Sequence, residues 1–340
     1  MSYLIKQWAA IESSYRGGTI ILGNGASIAV SPNFHYSSLL AHASDNELLT
    51  KDVNQLFSFF QTSDFELVLR LVWQASNVNK SLGIADERTH QAYVNVRECL
   101  IRAVRNIHPE YEAVSLYLPN IYQFLKGFRT VFSLNYDLVV YWAVTYGLRL
   151  QDGHVFKDCF LRGGAFDDDW KKFRQPFREV TNTLVFYPHG SLALCRNKVE
   201  DEFKIHAEGE NLLEAILNAW KSEQVAPLFV SEGTRQQKVT SINNSHYLST
   251  VYREVLKTPR LRLVLYGWGL GEHDLHLLRR MRDTGIMRVA VSVFGRDQGY
   301  CNHAYQAIQD ALGPVRVDFF DSESSGCWIK AVPPIIFEQY

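Results

Sequence analysis

Cysteine is scarce and scattered in this chain of 340 residues. Its five cysteines (Cys99, Cys159, Cys195, Cys301 and Cys327) include no C-x-x-C pair. An odd, dispersed set argues against a disulfide frame or a zinc ribbon and reads as reduced thiols. Charge of one sign is also lacking: the net value is −1, with no block of Lys or Arg, so nothing marks an electrostatic nucleic-acid surface. No apolar run approaches the roughly 20 residues that span a bilayer. The opening Met1-Ser2-Tyr3-Leu4-Ile5-Lys6-Gln7 lacks the apolar stretch of a secretory leader. The expectation is a cytoplasmic protein that touches neither membrane nor nucleic acid directly. At 46% hydrophobic and 21% charged, the chain can bury a large core. Its length allows one large domain with an insertion, or two domains.

The most informative stretch is Thr19-Ile20-Ile21-Leu22-Gly23-Asn24-Gly25-Ala26-Ser27. An apolar, β-rich run stops at a glycine turn and opens a helix. Gly23 and Gly25 lack a Cβ, so the backbone can bend tightly there and come close to a ligand. The N–H groups of a helix start favour a phosphate. The full dinucleotide fingerprint is not met, because Ile28 stands where its third glycine belongs and no acidic residue closes a second strand at the expected distance. A phosphate loop and a tight turn without a ligand both remain open.

Three further strands end in polar turns. Arg129–Leu134 leads into Asn135-Tyr136-Asp137 and a helix over Leu138–Tyr146. Thr183–Tyr187 leads into Pro188-His189-Gly190-Ser191. Leu261–Tyr266 leads into Gly267-Trp268-Gly269-Leu270-Gly271-Glu272-His273-Asp274 and a helix through Arg280. Met287–Phe294 and Val315–Phe320 add two strands around a helix at Tyr300–Leu312. Residues 2–16 read as a short amphipathic helix, and Leu48–Phe60, Phe65–Ala75, Glu87–Ile107 and Tyr111–Gly127 carry apolar residues at helical spacing. Asp64 caps the second of these four and Pro109 opens the last. Between 197 and 260 the signal is mixed: a helix at Asn211–Trp220, a short apolar run ending in Ser231-Glu232-Gly233-Thr234, and a long helix over Gln236–Leu256. The alternation predicts an α/β fold, a doubly wound, mostly parallel Rossmann-like sheet with a large helical insertion. The expected division is residues 1–30 and 129–340 as the nucleotide-binding core and 31–128 as the insertion, which covers the active edge of the sheet or forms a dimer face.

Strand ends of an open parallel sheet are where ligand groups gather. Asn135 and Asp137 sit there, either as ligand contacts or as helix caps. His189 is the best general-base candidate among the 11 histidines, against a ring that only bonds a loop carbonyl. Asp274 caps its helix or holds a ribose hydroxyl, and one carboxylate can do both. Glu232 and Lys238 line a pocket or lie on the surface, with the surface favoured for Lys238. The run Asp167-Asp168-Asp169 reads as a solvated loop, since no His or further carboxylate is spaced to complete a metal shell.

The four turn motifs, in this order and context, resemble those of SIR2-like domains. In particular they resemble the zinc-free bacterial branch that serves as effectors in anti-phage defence, and the related family DUF4917. Phe229-Val230-Ser231-Glu232-Gly233-Thr234 is similar to part of the latter's pattern. The resemblance spans about residues 19–295 and implies NAD as substrate, with cleavage of the nicotinamide–ribose bond. It implies catalytic roles for Asn135 and His189 and a cofactor-binding set of Gly23, Asn24, Gly25, Ser27, Asp137, Gly267, Gly269 and Asp274. It also implies a homo-oligomer, with a regulatory protein partner as a further possibility and no metal. Two departures stand out. No four-cysteine zinc module follows the His-Gly turn, which disfavours lysine deacylation. Ser31-Pro32-Asn33-Phe34 replaces the Gly-Ile-Pro-Asp-Phe-Arg segment of the deacylases, which leaves the nicotinamide pocket undefined.

The chemistry has its own demands. Cleavage passes through an oxocarbenium-like ribose, and nicotinamide leaves as a neutral molecule, so neither a metal nor strong acid catalysis is required. An Asn amide can orient water and ribose hydroxyls, and a neutral His can take a proton. A non-catalytic sensor of NAD or ADP-ribose stands as the alternative. Deacylase and ADP-ribosyltransferase readings rank lower, and a nicotinamide oxidoreductase is disfavoured by Ile28.

Overall fold

The computed structural model describes residues 2–35, 38–175, 181–207, 212–230 and 232–332. Asn211, expected to start a helix, Ser231 of the Phe229–Thr234 stretch, Met1, and residues 333–340 of the expected core lie outside them. The strands in chain order are β1 (Ile5–Lys6), β2 (Thr19–Leu22), β3 (Thr130–Ser133), β4 (His154–Lys157), β5 (Thr181–Phe186), β6 (Gly190–Asn197), β7 (Glu202–Lys204), β8 (Val225–Phe229), β9 (Leu261–Tyr266), β10 (Ile286–Val293) and β11 (Arg316–Asp321). Among the described residues, eight of them form one sheet in the order β1-β11-β10-β9-β2-β3-β5-β4. Every pairing in it is parallel.

The composition of the strands explains that arrangement. Ile20, Ile21, Leu22, Val131, Phe132, Leu184, Val185, Phe186, Leu263 and Val264 are fully buried. Near-continuous apolar runs of this kind suit a parallel sheet covered by helices on both faces. The fold is thus the expected α/β, Rossmann-like one. β3, β5 and β4 extend from one side of β2, and β9, β10, β11 and β1 from the other. The loops leaving β2 and β9 therefore diverge at a switch point, where open sheets form a crevice beyond their carboxyl ends.

Between β2 and β3 the described residues are helical, at Leu39–Asp45, Lys51–Phe60, Phe65–Ser81, Glu87–Ile107, Tyr111–Ser115 and Leu118–Leu125. Asp64 caps the third of these through Leu67 N at 3.2 Å, and Asp86 caps the fourth through Arg88 N at 3.1 Å. No helix of the described residues is long and apolar enough to cross a membrane.

Four expectations are corrected. Residues 2–16 are β1, a 3-10 turn at Trp8–Ala10 and a short helix at Glu12–Tyr15. Tertiary pairing overrides the local helical pattern: β1 extends the sheet beside β11, and Lys6 Nζ meets Asp318 at 2.8 Å. Tyr111–Gly127 is two helices, because Pro119 begins a new first turn after Ser115. Gln236–Leu256 breaks into helices Arg235–Asn243 and His246–Arg253, where Ser245 caps the second through Leu248 N at 3.1 Å. Finally, β6, β7 and β8 form a separate antiparallel sheet in the order β7-β6-β8, in a region whose sequence signal is mixed.

Candidate functional site

Four strand ends supply one cavity of about 330 Å³, within the range of small-molecule sites. Gly23 and Asn24 come from the end of β2, Asn135 and Asp137 from β3, His189 from β5, and Gly269 and Asp274 from β9; all seven line it. Ser27, Gly25 and Gly267 do not line it and stand behind its wall.

The glycines act differently from the expectation of direct ligand approach. Gly25 N donates to Gly267 O at 2.7 Å and Gly23 N to Tyr266 O at 2.9 Å. A Cβ on Gly23 would lie 2.5 Å from Trp268 Cα, and one on Gly25 would lie 2.8 Å from Gly267 Cα. One on Gly267, whose φ is +65°, would lie 2.3 Å from Ala26 N. These three glycines let the β2 and β9 loops interlock backbone to backbone. Gly269 and Gly271 instead face open space in the cavity, with nothing within 4 Å of a notional Cβ.

Behind the wall runs a chain of hydrogen bonds. Asn135 Nδ2 donates to Gly23 O at 3.0 Å and to Ser27 Oγ at 2.7 Å. Because a carbonyl only accepts, this fixes which way the amide is turned. Ser27 Oγ donates in turn to Asp137, whose other oxygen accepts from Val139 N at 2.9 Å. All three side chains are buried, and burial raises the Asp137 carboxyl above its ordinary range. Both Asn135 amide hydrogens are therefore spent inward, and its carbonyl oxygen is the group left for a ligand. His108, from the helical segment, buttresses the turn by accepting from Leu138 N at 3.0 Å; burial pushes its ring down to about 4.

His189 is buried in the turn between β5 and β6, its own carbonyl held by Val230 N at 2.7 Å. Burial pushes its ring down to about 3, against the opposing pull of Asp274. The imidazole is thus neutral across the physiological range. Its Nε2 has no hydrogen-bond partner among the described residues and lies 3.8 Å from Asp274 Oδ1.

Two sequence readings change here. Asp274 begins the Leu275–Arg280 helix yet makes no side-chain cap bond; its Oδ1 instead takes Lys238 Nζ at 2.8 Å. Lys238, read as a surface residue, is only 7% exposed and lines the cavity. Its helix, Arg235–Asn243, starts at a capping box formed by Thr234 and Gln237 and is polar on nearly every side, so periodicity gave no sign of an inward face. Burial opposes the charge on Asp274, but His189 and Lys238 together hold the carboxyl below its usual range. Glu232 also lines the cavity: one oxygen accepts from Leu39 N, and burial pushes the carboxyl up to about 7.

Four lining residues carry a buried polar atom that meets no partner among the described residues: Tyr136 Oη, His189 Nε2, Glu232 Oε2 and Trp268 Nε1. Buried polar atoms are nearly always paired, so these four retain capacity for a polar partner. Among the described residues no group of three or more His, Cys, Asp or Glu is placed to hold a metal ion.

The family described as Domain of unknown function (DUF4917) matches residues 20–328. The chain belongs to the DUF4917 family. The family match runs from β2 to Trp328 and takes in every loop that builds the cavity. No curated protein matches the chain. Two solved structures are similar to this DUF4917 member at a TM-score of 0.35. One, of a Sir2 enzyme, is 9% identical and covers 89% of this chain and 95% of its own. The other, a Sir2 homologue carrying a serine-to-alanine substitution in complex with ADP-ribose, is 11% identical and covers 90% and 98%. At that score the likeness is distant.

Proposed function

We propose that the cavity binds NAD and hydrolyses its nicotinamide–ribose bond, releasing nicotinamide and ADP-ribose. The observation that carries this reading is convergence. Three segments far apart along the chain, carrying Asn135 with Asp137, His189, and Asp274, line one cavity with a neutral imidazole and an amide oxygen left for a ligand.

In this mechanism the C1′–N bond breaks and its electron pair leaves with nicotinamide, which becomes neutral. The cationic ribose is met by water, whose oxygen forms the new bond to C1′. Asn135, its amide locked by Gly23 and Ser27, orients water or a ribose hydroxyl through its oxygen. His189 Nε2 accepts the proton released, and Asp274 steadies the imidazolium that forms. Gly269 and Gly271 leave room for backbone to approach the dinucleotide. Gly25, Gly267 and Ser27 act from behind, by holding the lining residues in place.

The remaining parts of the proposal rest on the motif resemblance. The protein acts as an anti-phage effector that depletes the host pool of NAD, works as a homo-oligomer, and answers to a regulatory partner. Residues 31–128 then form an insertion on a core of 1–30 and 129–340. One observation favours a second reading. His189 is a weak base in this structure, which suits a module that binds NAD or ADP-ribose without cleaving it.

The deciding measurement is nicotinamide and ADP-ribose appearance in cells expressing the wild type or Asn135→Ala, with ADP-ribose binding to both purified proteins. Wild-type turnover lost in the variant supports the hydrolase. Binding with no turnover in either supports the sensor.

A further inference from the structure

Lys238 is the only cationic side chain among the described residues lining the cavity, which it shares with Asp137, Glu232 and Asp274. Its stem is buried, and its ammonium makes one recorded bond, to Asp274 Oδ1 at 2.8 Å. That same oxygen is the one His189 Nε2 faces from 3.8 Å, and His189 Nε2 has no partner among the described residues. One carboxylate oxygen thus stands between two claimants. An ammonium has three donors, so Lys238 retains capacity for an anion entering the cavity.

We propose that Lys238 is the anion-recognising residue of this cavity and a latch on Asp274: an anionic group of the ligand, such as a pyrophosphate, draws the ammonium away and hands Asp274 Oδ1 to His189. This rests on the proposed dinucleotide site and adds the residue that senses its charge. Lys238 is a positioning residue, acting on His189 through Asp274. No covalent bond changes; an ion pair is exchanged for another.

Three elements bring charged or polar groups to bear on His189. Lys238 comes from helix Arg235–Asn243; Asp274 and His276 come from the start of helix Leu275–Arg280. The backbone of Leu134 comes from the end of β3. His276 stacks on the His189 ring with centroids 6.0 Å apart, and burial holds it below its ordinary value too. With Lys238 on Asp274, burial and the nearby ammonium disfavour the imidazolium. With Lys238 on an anion, the carboxylate favours it, and the proton affinity of His189 rises.

The test is nitrogen NMR of the histidine rings in the full-length protein, with His189 identified by its loss in His189→Gln. Saturating inorganic pyrophosphate is expected to raise the His189 midpoint by about one pH unit or more. Lys238→Met is expected to raise it without pyrophosphate and to abolish the response to it. Lys238→Arg is expected to keep both wild-type behaviours. In an Asp274→Asn background, Lys238→Met is expected to move His189 much less, which separates action through Asp274 from simple charge removal. Failure of pyrophosphate to bind or to move His189, or equal Lys238→Met shifts in both backgrounds, overturns the latch. Nicotinamide release by the wild type is read in parallel. A silent protein whose His189 follows Lys238 rejects the hydrolase and keeps the latch; an active one whose His189 ignores Lys238 does the reverse.

Discussion

Replacing Asn135 in two ways separates its structural from its chemical part. Asn135→Ala removes the donors to Gly23 O and Ser27 Oγ. The damage is limited, since Gly23 O keeps Ala26 N and Ser27 still donates to Asp137. At about 1 kcal/mol per lost bond, the expected loss is about 2 kcal/mol, a fall of several degrees in Tm. Asn135→Asp preserves shape but turns both donors into acceptors. A carboxylate then faces the Gly23 carbonyl, and the single Ser27 proton must choose between it and Asp137. An uncompensated buried charge of this kind costs about 3–5 kcal/mol. The introduced carboxyl has a folded pKa raised above its unfolded one. The Asp variant is therefore closest to Ala at low pH and loses ground as pH rises. Both variants are expected to slow nicotinamide release at least about 100-fold, the scale for losing one well-placed polar contact in a reacting site. Thermal unfolding from about pH 5 to 8, beside a nicotinamide assay, checks both halves. Equal stability of the two variants across that range would refute the amide orientation. Wild-type turnover by Asn135→Ala would refute its role.

The other expectations come from the loops and from Glu232. Gly267→Ala forces a Cβ to 2.3 Å from Ala26 N at a φ of +65°, so soluble folded protein should be largely lost. Gly269→Ala meets nothing within 4 Å and should fold with wild-type stability while weakening ADP-ribose binding in calorimetry; a destabilised Gly269→Ala contradicts the loop packing. Glu232, pushed by burial to about 7, binds its proton more tightly folded than unfolded, so the stability it lends at low pH is lost as pH rises toward 7. Glu232→Gln keeps the acceptor for Leu39 N and should gain about 1–3 kcal/mol on the wild type between about pH 5 and 8; a constant difference in Tm across that span would count against the assignment.

Six of the sheet's eight strands were legible because they are short apolar runs that end in glycine or polar turns, a pattern with few other solutions; β4 (His154–Lys157), with two of its four residues polar, falls in a stretch that reads as loop. Asn135 and His189 were legible for the same reason: they lie two and three residues beyond the ends of such runs. Lys238 was not, because its inward aim comes from tertiary placement of a polar helix, and residue type argued for solvent. β1 was hidden by its two-residue length and by helix-like spacing around it. β6 was hidden by continuous burial that extends even to Arg196, which is held by Glu66, Glu200 and Glu202. The Gly23 and Gly25 reading was right about the turn and incomplete about its cause. A sequence shows that a Cβ is missing but not which neighbour takes its place, here the backbone of the Gly267–Trp268 loop far along the chain.

A base as weak as His189 raises a chemical question, and its answer is measurable. Activating a neutral water ahead of attack calls for a base near the working pH. Water bonding to an oxocarbenium carbon is different, because its protons become strongly acidic as the C–O bond forms. A base held near 3 can accept one at that stage, so a dissociative hydrolysis tolerates a His189 that an associative one does not. The pH profile of kcat/KM reports the free enzyme and that of kcat the complex. With Glu232→Gln to remove a lining carboxyl that itself titrates near 7, kcat/KM should stay level to about pH 4, since His189 must be neutral and remains so until its low pKa is reached. If Lys238 releases Asp274 on binding, the acid limb of kcat should lie at higher pH than that of kcat/KM, and Asp274→Asn should bring the two together. An acid limb of kcat/KM near about 6.5 would mean a His189 of ordinary basicity, and with it an exposed ring or a different base.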